Sequence, residues 1–191
     1  MRVFVAPVLF VVFLLSCTIS DTRIYSLSLP EVKEMPNAGA VVSVNVLLHS
    51  PRYLDQPYIA YRNSPYTLEI SDSSRWDSSP ADMVKGAIKD SLFSSGSFAA
   101  VRSSVVTPPG YYRCEVNLRR FERLDRGTDS FGELDLEITF FSPEGRVLYR
   151  NFLSKEEKLY DRGFLSLAKF LSEALSQGLD EASAAIIKSL P

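Results

Sequence analysis

The spacing of apolar and polar positions divides the chain into strands and two helices. Ile24, Ser26 and Ser28 oppose Tyr25, Leu27 and Leu29, a period of two that predicts a first strand over 23–29. Pro30, Pro36 and Gly39 make the next stretch a loop, and the β-branched run 40–49 predicts a central strand ended by Pro51. Short strands over 58–62 and 66–70 flank Asn63-Ser64-Pro65, the pattern of a hairpin. The period then lengthens. Ser79-Pro80-Ala81-Asp82 supplies an N-cap hydroxyl, a proline at the first helical position and an early acidic residue. Val84, Ala87, Ile88, Ser91 and Leu92 keep helical spacing until Gly96 stops it.

Beyond the helix, a short strand over 98–102 and the breaker Pro108-Pro109-Gly110 lead into strands over 111–124, 131–141 and 146–154. That order is a β-meander, with Leu134, Leu136, Ile138 and Phe140 on one face. The chain closes in a helix over 163–190. Phe164, Leu167, Ala168, Leu171, Leu175, Leu179, Ala182 and Ile186 form one stripe, and Lys169, Glu173, Gln177, Glu181 and Lys188 lie off it. The polar face is not basic, so the stripe reads as core packing rather than a membrane-lying surface. The fold expected is α+β: an antiparallel-rich mixed sheet containing a β-meander, with two helices packed on it.

The first residues follow another pattern. Met1 and Arg2 precede an apolar run from Val3 to Leu15, too short for the ~20 residues of a membrane-spanning helix. Its length suits the apolar region of a secretory signal. Leu14-Leu15-Ser16-Cys17 resembles the bacterial lipobox, which implies cleavage before Cys17, lipidation of its thiol and acylation of the new amine. The chain then divides into a signal peptide over 1–16, a lipidated tether over 17–22 and one domain over 23–191. Burial of each CH₂ is worth ~0.8 kcal/mol, so two or more acyl chains hold firmly where one binds reversibly. Thr18, where an Asp would retain the protein in the inner membrane, resembles an outer-membrane address.

Composition narrows the function. The 191 residues carry a formal net charge of −2, too balanced for an electrostatic nucleic-acid surface. Two Cys and one His fall short of a structural zinc site. Lipidation of Cys17 leaves Cys114 unpaired, on the apolar side of an alternating strand, where a buried inert thiol is expected. His49 ends a strand, and no G-x-S-x-G elbow, Gly-rich phosphate loop or H-E-x-x-H is present. Glu133, Asp135 and Glu137 alternate beside Arg113, Arg119, Arg120, Arg123 and Arg126, themselves interleaved with Glu115, Glu122 and Asp125, which reads as charge pairing across strands. The expectation is no catalytic residue, no metal and no cofactor beyond the lipid on Cys17.

Two motifs are less generic. Pro51-Arg52-Tyr53-Leu54-Asp55-Gln56-Pro57-Tyr58-Ile59 feeds a strand ending near Arg62, and Arg75-Trp76 precedes Pro80 at the helix start. Together they resemble the ABC-type transport auxiliary lipoprotein family, with its P-x-Y-L-D-R-P-x-I-V-x-R and R-W-x-x-P-L patterns, as in the paraquat-inducible auxiliary lipoproteins. Gln56 and Ala60 depart from those patterns, and Trp76 to Pro80 is one residue longer. The resemblance implies a periplasmic partner of a mammalian-cell-entry (MCE) lipid transporter, anchored by Cys17 to the periplasmic face of the outer membrane and compatible with a homo-oligomer. Tyr53, Leu54, Asp55, Pro57, Tyr58, Arg62, Arg75 and Trp76 are the candidate docking residues. Each also has a structural reading: a turn that orders the hairpin, and a Trp76 packed on the sheet with Arg75 stacked or paired nearby. Tyr53, Tyr58, Tyr61 and Tyr66 suit an interface, but tyrosine is also favoured in strands, and the strand reading is the simpler one. A lipid carrier with an internal pocket and a structural lipoprotein of the envelope are the competing functions.

Overall fold

The computed structural model describes residues 21–30 and 42–191. The signal segment, Cys17 and the expected loop around Pro36 and Gly39 lie outside the described residues. Within them the elements run β1 (Arg23–Tyr25), β2 (Ser43–His49), β3 (Tyr58–Ser64), β4 (Thr67–Trp76), α1 (Pro80–Ser94), β5 (Ala100–Arg102), β6 (Tyr112–Arg126), β7 (Asp129–Phe141), β8 (Val147–Lys158) and α2 (Phe164–Lys188). The fold is α+β, a mixed sheet with two helices packed on one face.

β6 is the axis of the sheet. One of its edges pairs antiparallel with β7 from Arg113↔Phe141 to Arg126↔Asp129, and β7 pairs antiparallel with β8. This meander is the expected one, and its two ladders are the longest in the sheet. The other edge of β6 is shared by two parallel neighbours, β2 along Tyr112 to Asn117 and β3 at Arg123 and Leu124. β5 lies outside β2, and β4 then β1 lie outside β3.

Three strands differ from their sequence reading, β8 among them, which runs past Ser154 to Lys158. β1 is only three residues long, because after Tyr25 the chain leaves the sheet for the surface of α2, where the Ser28 N–H donates to the Ser172 hydroxyl (3.0 Å). β4 runs well past Ile70 to Trp76. Asp72, Ser73 and Ser74 carry no apolar alternation, yet β1 pairs alongside the last residues and holds them extended.

Local chemistry accounts for the helices. The Ser79 hydroxyl accepts from the Asp82 N–H (3.1 Å), and the missing N–H of Pro80 falls where a helix has no internal acceptor to offer. Val84, Ala87, Ile88 and Leu92 of α1 are buried, as are Leu167, Leu171, Leu175, Leu179 and Ile186 of α2. They meet Cys114 and Val116 of β6 and Leu134, Leu136, Ile138 and Phe140 of β7 in one core. The cavity between helices and sheet, lined by Ile88, Cys114, Ile138 and Leu179 among others, is about 10 Å³, no more than one water.

Gly132 of β7 shows how closely α2 lies on the sheet: a Cβ there would overlap the Phe170 ring. Gly132→Ala is expected to cost ~1–3 kcal/mol through overpacking, with the fold retained. Thermal unfolding followed by circular dichroism measures it, and an unchanged midpoint would mean that α2 is free to shift.

Candidate functional site

The shared edge of β6 creates a gap. β2 leaves at Asn117 and β3 joins at Arg123, so among the described strands the intervening residues have no neighbour on that side. On the other side a bulge against β7 falls between Leu118 and Arg120. A 3-10 turn, Arg52–Asp55, closed by a hydrogen bond from the Leu54 N–H to the Pro51 carbonyl (2.9 Å), sends the Tyr53 side chain to this stretch of β6. Leu54 is completely buried.

The turn places Tyr53 and Arg62 on one carboxylate. The Tyr53 hydroxyl donates to Glu122 Oε2 (2.8 Å) and lies 3.4 Å from the Arg119 carbonyl. Arg62 Nε donates to Glu122 Oε1 (2.5 Å). Glu122 is 0% exposed. Its charge is therefore compensated by one cation and one neutral donor, an arrangement that a buried carboxylate requires. Burial, and next the Glu122 charge, hold the Tyr53 phenol protonated far above its ordinary range.

The two sequence motifs meet at the foot of the β3–β4 hairpin. Tyr58 is in register with Arg75, and the Trp76 N–H donates to the Pro57 carbonyl (3.0 Å). The Trp76 ring is buried edge-on to Phe121, centroids 5.4 Å apart. Its indole N–H has no acceptor among the described residues, so packing carries its contribution. Arg75 is exposed and, among the described residues, neither ion-paired nor stacked. Strand alternation turns it away from Trp76 toward solvent, contrary to the stacked or paired arrangement expected. Asp55 is exposed and accepts from the Ser50 hydroxyl (2.5 Å), an ordering contact within the turn. Of the candidate residues, Leu54 and Trp76 are core, Tyr53 and Arg62 brace Glu122, and Asp55 and Arg75 face outward.

A second cluster was not legible in the sequence. Arg123, next to Glu122 but on the helix side of β6, makes a bidentate pair with Asp125 (3.0 and 2.9 Å). Its guanidinium stands between the rings of Tyr61 and Phe164, 4.9 and 4.8 Å from their centroids, and it donates to the Arg162 carbonyl. The ring of Tyr25 meets Phe164 edge-on. β1, β3, β6 and the start of α2 are thereby joined. The pairing of Arg123 is within its own strand, whereas Arg120–Glu133 (2.8 Å) and Arg119–Glu137 (3.0 Å) cross to β7 as expected.

Cys114 is free and buried, and burial pushes its thiol up to about 12. His49 is exposed at a strand end. Among the described residues no group of three His, Cys, Asp or Glu side chains is placed to hold a metal ion.

Two predictions follow from the bracing of Glu122 and the burial of Trp76. Arg62→Met leaves the carboxylate with only Tyr53 and should destabilise by ~2–4 kcal/mol, less than the full loss for a buried pair because the Arg62 side chain is 22% exposed. Adding Glu122→Gln should recover most of that loss; urea unfolding of the double-mutant cycle measures the coupling, and strict additivity would refute the brace. Trp76→Ala should cost ~3–5 kcal/mol and Arg75→Ala no more than ~0.5 kcal/mol. Equal losses in the two variants would contradict their opposite exposure.

The model of the family described as ABC-type transport auxiliary lipoprotein component matches residues 25–184. No match is found among curated proteins. Among solved structures, a Xanthomonas campestris protein of the DUF330 family superposes with a TM-score of 0.70 at 20% identity, over 87% of this chain and 96% of its own. A second crystal structure, of an uncharacterized protein, gives 0.62 at 18% identity over 90% and 99%. At these identities the likeness is one of fold. The family match spans the Tyr53 turn, the braced Glu122, the Arg75-Trp76 pair, the meander and most of the closing helix, and the chain belongs to the family of ABC-type transport auxiliary lipoprotein components.

Proposed function

We propose that this protein is a non-catalytic, lipid-anchored periplasmic component of an ABC/MCE-type transport system that moves phospholipid between the two membranes. It holds the periplasmic part of the transporter at the outer membrane, to which acyl chains on Cys17 fasten it. The family match over residues 25–184 carries this reading. Two further observations support it. Cys17 stands six residues before β1, so the lipid and the folded body are close neighbours. No helix among the described residues is long and apolar enough to cross a membrane, which leaves the lipid as the anchor in this proposal.

The packing disfavours a carrier that shelters lipid internally. A lipid-sized pocket needs ~300–1,000 Å³ lined by apolar groups. Among the described residues, the cavity between helices and sheet beside Ile88, Cys114, Ile138 and Leu179 is about 10 Å³. A groove of about 350 Å³ beside Ser28, Leu29, Pro30, Ser172, Glu173 and Gln177 is open to solvent rather than enclosed by the core. The protein acts through its surface. Of the motif side chains, Arg52, Asp55, Gln56 and Arg75 are exposed and available to a partner, while Tyr53, Leu54, Arg62 and Trp76 hold the turn and the hairpin that carry them.

Cys17→Ala should abolish incorporation of labelled palmitate and release the protein from the membrane fraction. Unchanged labelling would remove the lipoprotein basis of the proposal. Affinity purification of the native protein in mild detergent should recover an MCE-domain protein together with an ATPase and a permease, and recovery of cell-wall assembly proteins in their place would favour the structural alternative.

A further inference from the structure

The register of the sheet sorts its connections into two ends. β3 and β6 finish side by side, with Tyr61 beside Arg123 and Arg62 beside Leu124. β8 ends where β7 begins, with Lys158 opposite Phe131. One end of the molecule therefore gathers the β3–β4 turn, the β6–β7 turn and the β8–α2 connection, the last tied to the Gly127 carbonyl by Arg162. This end exposes Tyr66, Tyr160 and Leu165, at 93%, 98% and 59%. The connection near the start of β6, toward the other end, exposes Val105 and Val106.

β1 decides which end faces the anchor. It runs parallel to β4, with Arg23 opposite Ser74 and Tyr25 opposite Trp76, and β4 starts at Thr67 in the first end. The N-terminal side of β1 therefore faces the end that carries Tyr66 and Tyr160. The length of the tether excludes the other end. Cys17 is six residues before Arg23, at most ~20 Å of extended chain. The first end lies about that far away: β3 covers the distance from Tyr58, in register with Arg75, to Ser64, in register with Thr67, in six residues or ~20 Å. In the other direction the level of Tyr58 corresponds to Arg120 on β6, and Tyr112 is eight residues beyond, ~26 Å. An acyl group on Cys17 reaches a bilayer lying against the first end and not one lying against the second.

We propose that the end bearing Tyr66, Tyr160 and Leu165 sits in the headgroup layer of the membrane in which Cys17 is anchored. The proposal rests on the lipid anchoring argued above. Tyrosine suits this position, since its ring is apolar and its hydroxyl stays hydrated at the headgroup level. Nothing among the described residues covers either tyrosine, and both occur in turns, where no strand or core packing calls for an aromatic ring. The membrane then fixes the tilt of the body as well as its location, and the opposite end is presented toward the transporter.

The test uses full-length lipidated protein with Tyr66→Cys, Tyr160→Cys or Val106→Cys, each labelled with an environment-sensitive fluorophore. These positions are exposed, and Cys114 is buried and does not compete for the label. The proteins are floated with phosphatidylethanolamine–phosphatidylglycerol vesicles containing lipids with a nitroxide quencher near the headgroup. Labels at 66 and 160 should shift to the blue and lose most of their emission, and the label at 106 should do neither. Flotation with unquenched labels at 66 and 160, or with equal quenching at 106, overturns this inference and leaves the anchor standing, whether a second copy or a partner protein covers that end instead. Failure to float overturns both.

Discussion

A carboxylate with no exposed surface, Glu122, sits at the point where β6 changes neighbours. Leaving such a charge unpaired would cost several kcal/mol, comparable with a large share of the stability of a domain. The Tyr53 turn and the Arg62 strand can therefore occupy one position relative to β6, the position in which both reach Glu122. Much follows from that constraint. The position of β3 sets β4 through the hairpin, β4 sets β1 by parallel pairing, and β1 sets the direction from which the chain enters the sheet.

The next residue of the same strand does equivalent work on the other face. Glu122 points to the open side of the sheet and Arg123 to the helix side, as alternation demands. Between the rings of Tyr61 and Phe164, Arg123 couples β3 to the first turn of α2. Gly132, opposite Arg123 on β7, leaves the room into which Phe170 of α2 fits. Two adjacent charged residues thus hold the hairpin and the long helix against one stretch of β6, where an apolar pair would have supplied adhesion without fixing direction.

Which parts of this were legible in the sequence follows from the range of the interactions. The meander and both helices were, because their periodicities are local: Leu134, Leu136, Ile138 and Phe140 declare a face without reference to any partner. The Ser79-Pro80 start of α1 declares itself for the same reason. β4 beyond Ile70 did not, because Asp72, Ser73 and Ser74 carry no alternation of their own, and the end of the strand is held by β1 on one edge and by Tyr58 of β3 on the other. The site behaved alike. Tyr53, Arg62, Arg75 and Trp76 stand out as a pattern, but their task depends on a gap between β2 and β3 that no local signal announces. Glu122 looked like one more acid among the arginines of β6. The bulge between Leu118 and Arg120 shifts the alternation that would have marked its face.

This division between bracing and presenting bears on how such a component contributes to transport. Among the described residues the cavity between helices and sheet is about 10 Å³, so on the proposed reading the contribution is geometrical: the body determines where its outward side chains stand relative to the membrane. A short tether alone fixes a radius but no orientation, since six extended residues leave the body free to roll about the anchor. Orientation needs a second point of contact on the same end as the tether, and that end must be stiff with respect to the partner-facing surface. The path from β1 through β4 and β3 to Glu122, and from Arg123 to α2, supplies that stiffness with paired strands and compensated charges throughout. If the protein docks a partner as proposed, buried residues such as Glu122 are on this argument as much a part of that role as the exposed Asp55 and Arg75.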